Sequence, residues 1–144
     1  MYLRSETKKV KVGNTYIGGE TPVSVQSMLN VKANDFMGNV NQAVELEKAG
    51  CEIVRVTVPN LETVPLIPLI KEQINIPLVA DIHFDYKVAV AAAEAGVDKI
   101  RINPGNIGSE EGVKKVVEAC KKRNIPIRIG VNSGSIEKEI LARY

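Results

Sequence analysis

Five apolar runs of strand length recur along the chain, separated by spacers of helix length, and this alternation constrains the fold more than any other feature. The runs are VSVQSM (23–28), EIVRVTV (52–58), PLVADIH (77–83), KIRINPG (99–105) and PIRIGVN (126–132). Their starts lie about 22 to 29 residues apart, the length of one strand plus a crossover helix. Five such units in succession demand a parallel sheet, either doubly wound or closing as a (β/α)8 barrel.

The spacers carry helical signals. In SEEGVKKVVEACKKRN, Val113, Val116, Val117 and Cys120 fall at i, i+3, i+4 and i+7. Ser109 is placed to cap that helix, and Glu110 and Glu111 suit its first turn. Asp85 opens YKVAVAAAEAG, which Gly96 closes in a left-handed conformation, as Gly50 closes NQAVELEKAG. NLETVPLIPLIKEQ is different, because it carries Pro65 and Pro68. Proline costs about 3 kcal/mol inside a helix but is tolerated in a first turn, so a late start or a distorted first turn is expected there. KVKVGNTYIGG reads as a hairpin turning at Gly13-Asn14, outside the repeat and suited to cover an open barrel end. A sixth helix begins at Ser135 with IEKEILARY after it, and nothing in that stretch resembles a domain terminus.

Alternate residues of a strand face opposite sides, and here the strands agree with one another. Arg55 and Thr57 share a face with Asp81 and His83, with Arg101 and Asn103, and with Arg128 and Asn132. Val54, Val56, Val58, Ile100, Ile102, Ile127, Ile129 and Val131 form the opposite face. A doubly wound sheet is covered by helices on both faces and should be apolar on both. A barrel has an inner face, and active sites sit at its C-terminal mouth. Parity therefore selects a parallel (β/α) barrel of the TIM type, incomplete at about five of eight units, with an N-terminal β-hairpin.

Composition excludes several classes. A net charge of +2 in 144 residues, with acids and bases interleaved, argues against a nucleic-acid or membrane-surface protein. No run is apolar enough to span a bilayer, and MYLRSETKKVKVG lacks the core of a secretory signal, so the cytoplasm is the expected compartment. Cys51 and Cys120 lack metal-ligand spacing and read as buried structural thiols. His83 is the only histidine, which excludes a histidine-rich metal site.

The inner face then poses a charge problem. Arg55, Arg101 and Arg128 outnumber the inner carboxylates, of which Asp81 is the evident one. An uncompensated buried cation is costly, and guanidinium forks match phosphate oxygens, so an anionic ligand is the natural balance. NPGNIGS (103–109) and NSGS (132–135) pass through glycine to helix N-termini, where free backbone N–H groups favour phosphate. Lys87 and Lys99 read as surface or stem residues, leaving no inner lysine apparent in the five strands.

In this order and near these spacings, VQSM, EIVRVTVP, PLVADIHFDY, RINPGNIG and IPIRIGVNSGS resemble the 4-hydroxy-3-methylbut-2-enyl diphosphate synthase family from about Val10 to the last residue. The resemblance implies the N-terminal, substrate-binding barrel of an oxidoreductase of non-mevalonate isoprenoid biosynthesis. Family members open and reduce 2-C-methyl-D-erythritol 2,4-cyclodiphosphate, with loss of water. A 4Fe-4S cluster carries the electrons, and ferredoxin or flavodoxin supplies them. By matching position, Arg55, Arg101 and Arg128 correspond to arginines that hold the diphosphate, Asn132 belongs to the same polar mouth, and Asp81, His83 and Asn103 line the pocket. Catalytic groups are not assigned. Leu29 and Val31 flank Asn30 where the family carries threonines.

Much of the family's length is missing from the chain, including a lysine that completes the diphosphate site and a C-terminal domain whose three cysteines and one glutamate ligate the cluster. Cys51 and Cys120 do not stand in for these. A complete barrel needs about 250 residues, and five strands leave two edges unpaired. The chain is thus expected to be part of a longer enzyme, homodimeric when whole, and by itself to bind no cluster and turn over no substrate. Two other readings are a cluster-free phosphate-binding barrel, such as an aldolase or isomerase, and a non-catalytic anion-binding half-barrel. The missing inner lysine counts against a Schiff-base version of the former.

Overall fold

The apolar runs form strands where the alternation places them. The computed structural model describes residues 3–131 and the single positions Gly134, Ile140 and Ala142, so Asn132 and the sixth helix expected from Ser135 lie outside the described residues. A hairpin comes first, with β1 (Val10–Val12) antiparallel to β2 (Thr15–Ile17). Then follow β3 (Gln26–Met28), α1 (Phe36–Lys48), β4 (Ile53–Thr57), α2 (Leu66–Lys71), β5 (Leu78–Ile82), α3 (Tyr86–Glu94), β6 (Lys99–Ile102), α4 (Glu110–Arg123) and β7 (Ile127–Ile129). The sheet order is β3-β4-β5-β6-β7, every pair parallel. A doubly wound sheet reverses direction at a switch point; this one advances in sequence order, as a barrel wall does. Among the described residues, the outer strands β3 and β7 each have a partner on one side only.

The helix ends follow local chemistry. Asp35, Asp85 and Ser109 cap α1, α3 and α4 by accepting from the N–H of Gly38, Lys87 and Gly112. Gly50 and Gly96 take positive φ just past their helices, as expected, whereas α4 ends on Asn124 in the left-handed region. The prolines delay α2: a 3-10 turn at Leu61–Thr63 comes first, Pro65 caps the helix and Pro68 sits in its first turn. On α4 the buried stripe contains Val116, Ala119 and Cys120, with Val113 partly buried. Val117, expected in that stripe, is 46% exposed, because it lies one 100° step beyond the face centred on Val116.

The core lies between the sheet and the helices. It gathers Val54, Val56 and Val58 of β4 and its exit, Leu78, Ala80 and Ile82 of β5, and Ile100 and Ile102 of β6 against Ile67, Ile70, Ala89, Ala92 and Val116. The hairpin packs at the strands' N-terminal ends. Its Gly13, at φ +56, approaches Asp98 and Pro77, and the Asn14 side chain donates to the Asn75 carbonyl. It therefore closes the base of the sheet and leaves the opposite end free. No helix among the described residues is long and apolar enough to cross a membrane.

Candidate functional site: the basic inner face

The inner face is built by register. Thr57, Asp81, Arg101 and Arg128 occupy one row across β4 to β7, while Met28, Arg55, Val79 and Lys99 occupy the row nearer the base. Asp81 is fully buried and serves as the hub. Its Oδ2 accepts from Arg55, through Nε at 3.1 Å and through the terminal Nη2, and its Oδ1 accepts from Arg101 Nη1 at 3.1 Å. His83 follows β5 and brings Nε2 to 3.4 Å from the same Oδ2. The alternation thus brings Arg55, Asp81, His83 and Arg101 together.

Arg128 faces the same space from β7 but is exposed and makes no ion pair among the described residues. Asn103 is buried just beyond β6, and its side chain organises the following turn by accepting from the Gly105 N–H at 3.1 Å. Its carbonyl accepts from Asn106 and Ile107, and Ile107 is fully buried, anchoring the loop. At the helix beyond, the acids Glu110 and Glu111 occupy the first turn, where they compete with an external anion.

Two further positions differ from their sequence reading or explain it. Lys99, read from sequence as a surface or stem residue, is 5% exposed and belongs to the inner face. It shares strand parity with Arg101 and Asn103, and that parity is the signal in the sequence for its inner position. Burial, reinforced by Arg128 and Arg55, lowers its amine's pKa below the usual lysine range. Gly130, whose role sequence reasoning missed, lies under the Arg101 side chain: a Cβ there would overlap the guanidinium, which donates to the Gly130 carbonyl at 3.4 Å. Lys87 is exposed as expected.

The loop after β3 is tied to α1 and to the core. Leu29 is buried in the helix-side core, and Asn30 exchanges hydrogen bonds with Gln42 of α1 at 2.7 and 3.0 Å. Two grooves lie on the outer surface, between α3 and α4 and between α1 and α2, away from Arg55, Arg101 and Arg128. Among the described residues no cluster of histidine, cysteine and acids is suited to a metal. Cys51 donates to the Val25 and Ile53 carbonyls before β4, and Cys120 is buried on α4, so the two thiols do not fit an iron–sulfur centre.

Among the described residues, the inner face therefore sets four basic side chains, Arg55, Lys99, Arg101 and Arg128, against the one carboxylate of Asp81. Comparison with known proteins gives this arrangement a family. Residues 7–144 match the model of the GcpE TIM-barrel domain. The chain belongs to that family. It is 56% identical over 142 residues to the 4-hydroxy-3-methylbut-2-en-1-yl diphosphate synthase (flavodoxin) of Fusobacterium nucleatum, covering 99% of this chain and 40% of that protein. The like-named protein of Clostridium perfringens is 59% identical over 141 residues, 98% of this chain and 40% of its own length. The GcpE barrel portion seen here thus spans about 40% of the curated relatives it matches. Among solved structures, the dihydropteroate synthase of Yersinia pestis superposes with a TM-score of 0.65 at 17% identity, covering 94% of this chain and 51% of the other. That likeness concerns the fold alone.

Proposed function

We propose that this chain is the substrate-binding barrel portion of a 4-hydroxy-3-methylbut-2-en-1-yl diphosphate synthase, acting on 2-C-methyl-D-erythritol 2,4-cyclodiphosphate in isoprenoid biosynthesis. The observation that carries the reading is the excess of buried or half-buried cations on an inner face with a single, fully engaged carboxylate among the described residues. A diphosphate supplies the missing negative charge, and paired guanidinium groups fit its oxygens. In this reading Arg55, Arg101 and Arg128 hold the diphosphate, and Asp81 fixes the first two at their ends. His83 and Asn103 line the mouth, and Asn132 extends it beyond the described residues.

The reductive step belongs to a 4Fe-4S cluster held by a C-terminal domain outside this chain, in the remaining length that the relatives possess. Flavodoxin, which the relatives' names specify, is the electron donor we favour over ferredoxin, and a cytoplasmic homodimer is the working form. Lys99 removes one objection to a Schiff-base barrel, since an inner lysine does exist. Identities of 56–59% to the named synthases weigh more than that single residue.

The test is calorimetric binding of the cyclodiphosphate to a full-length synthase carrying this barrel sequence. Arg101→Ala should weaken binding about 10- to 100-fold, the range of a charged hydrogen bond. Unchanged affinity in a folded Arg101→Ala protein would remove the anion site from this face.

A further inference from the structure

Lys99 is the inner residue whose burial has no visible compensation. It is 5% exposed, and its side-chain amine makes neither a hydrogen bond nor an ion pair among the described residues. No fully buried side-chain nitrogen or oxygen there lacks a hydrogen bond, so the unbonded amine must open onto the inner space rather than into the packed core. Among the described residues, the charged and titratable groups facing that space are Arg55 from β4, Asp81 and His83 from β5, Arg101 from its own strand and Arg128 from β7. From β3 come only the neutral Gln26 and Met28. Asp81 is already shared by two guanidinium groups.

We propose that Lys99 is a further anion-binding residue of this site, a fourth cation that reaches a bound diphosphate from the N-terminal side of Arg101 and Arg128. The inference rests on the reading of the inner face as a diphosphate site. Its logic is electrostatic: a lysine on a strand that is buried among cations, with no acid paired to it among the described residues, holds its proton less firmly than a solvated lysine, and an arriving anion favours the ammonium. Desolvation, Arg128 and Arg55 all disfavour its charge in the empty site. A bound diphosphate opposes all three, so binding should draw a proton onto the Lys99 amine. Such uptake is expected where the free site's amine is partly neutral and the bound one is charged. In that range affinity falls as pH rises.

The cyclodiphosphate is a clean probe, because its phosphates are all esterified or bridged and carry no proton near neutral pH. Titrating it into the full-length synthase in buffers of different ionisation enthalpy, between pH 7 and 9.5, counts the protons taken up. The wild type should gain a fraction of a proton per site, largest at the alkaline end. Lys99→Met should bind at least about tenfold more weakly at pH 7 and lose the uptake. Lys99→Arg, permanently charged, should keep most of the affinity and also lose the uptake. An interior filler without ligand contact would leave both affinity and uptake as in the wild type. If Arg101→Ala weakens binding while Lys99→Met does not, the inference about Lys99 is overturned and the diphosphate site stands. If neither weakens it, the diphosphate site itself fails. Should Lys99→Met not fold, undiminished proton uptake in folded Lys99→Arg is sufficient to overturn the proposal.

Discussion

Two aspartates on neighbouring stretches of the chain, Asp98 and Asp81, show how the two ends of this sheet differ. Asp98 sits at the base, just before β6. Its Oδ1 accepts from Lys71 at 2.6 Å and its Oδ2 from the Leu78 N–H at 2.8 Å, with the hairpin's Gly13 packed against it. One acid meets one cation and one backbone donor, and the account closes within the described residues. Asp81 stands inside, shared by Arg55 and Arg101 and approached by His83, while Lys99 and Arg128 find no acid among the described residues. The base is a finished structural joint; the inner face holds more cations than acids among the described residues. A charge imbalance confined to one end of a fold is therefore a better guide to function than the net charge of +2, which averages it away.

The sharpest way to break this comparison is to remove each aspartate. Asp81→Ala should be the most damaging, at about 3–5 kcal/mol of stability, since it strands partly buried guanidinium groups without their acid. Urea unfolding measures the loss, and the anion affinity should change with it. Asp98→Ala should cost about 1–3 kcal/mol through the unpaired Leu78 N–H and the lost ion pair, yet leave diphosphate affinity within about twofold, since an energy change remote from the site should not couple to it. Equal effects of the two substitutions on affinity would erase the distinction between the ends.

Gly130→Ala sharpens the comparison on the inner face itself. The new methyl group must displace the Arg101 guanidinium, a flexible end, so the expected cost in stability is about 1 kcal/mol, at the low end for overpacking. Diphosphate affinity should fall several-fold, and a crystal structure of the variant should show Arg101 rotated off the Gly130 carbonyl.

On the helix side, burial pushes the Cys120 thiol up to about 11 from its ordinary 9.0. In the folded protein the thiol stays protonated between these values while the unfolded chain ionises. Stability should therefore fall as pH rises from about 9 to 11, by at most about 1.4 kcal/mol per pH unit. Cys120→Ala should flatten that slope while leaving the diphosphate site untouched; an identical alkaline slope in the variant would show that the thiol is not its source.

Most of the helix-side architecture was legible because it rests on local rules. The caps at Asp85 and Ser109, the Gly13 turn and the delayed α2 each follow from a few adjacent residues. Parity also placed Arg55, Asp81 and Arg101 on one face before any pairing was known. It could not say that Asp81 would hold both arginines, because that depends on the register of β4, β5 and β6.

The sequence by itself determined the βα repeat, the hairpin and the polarity of the two sheet faces, since these follow from periodicity and from side chains a few residues apart. Only the tertiary structure decided that Lys99, on the inner face by parity, is enclosed there, that Gly130 gives Arg101 its space, and that Asn103 ties down its own loop. The physical reason is that burial and close approach are set by what neighbouring strands and loops place overhead. A lysine at a strand entry is exposed or enclosed according to the register of the strands beside it, and no local pattern carries that information.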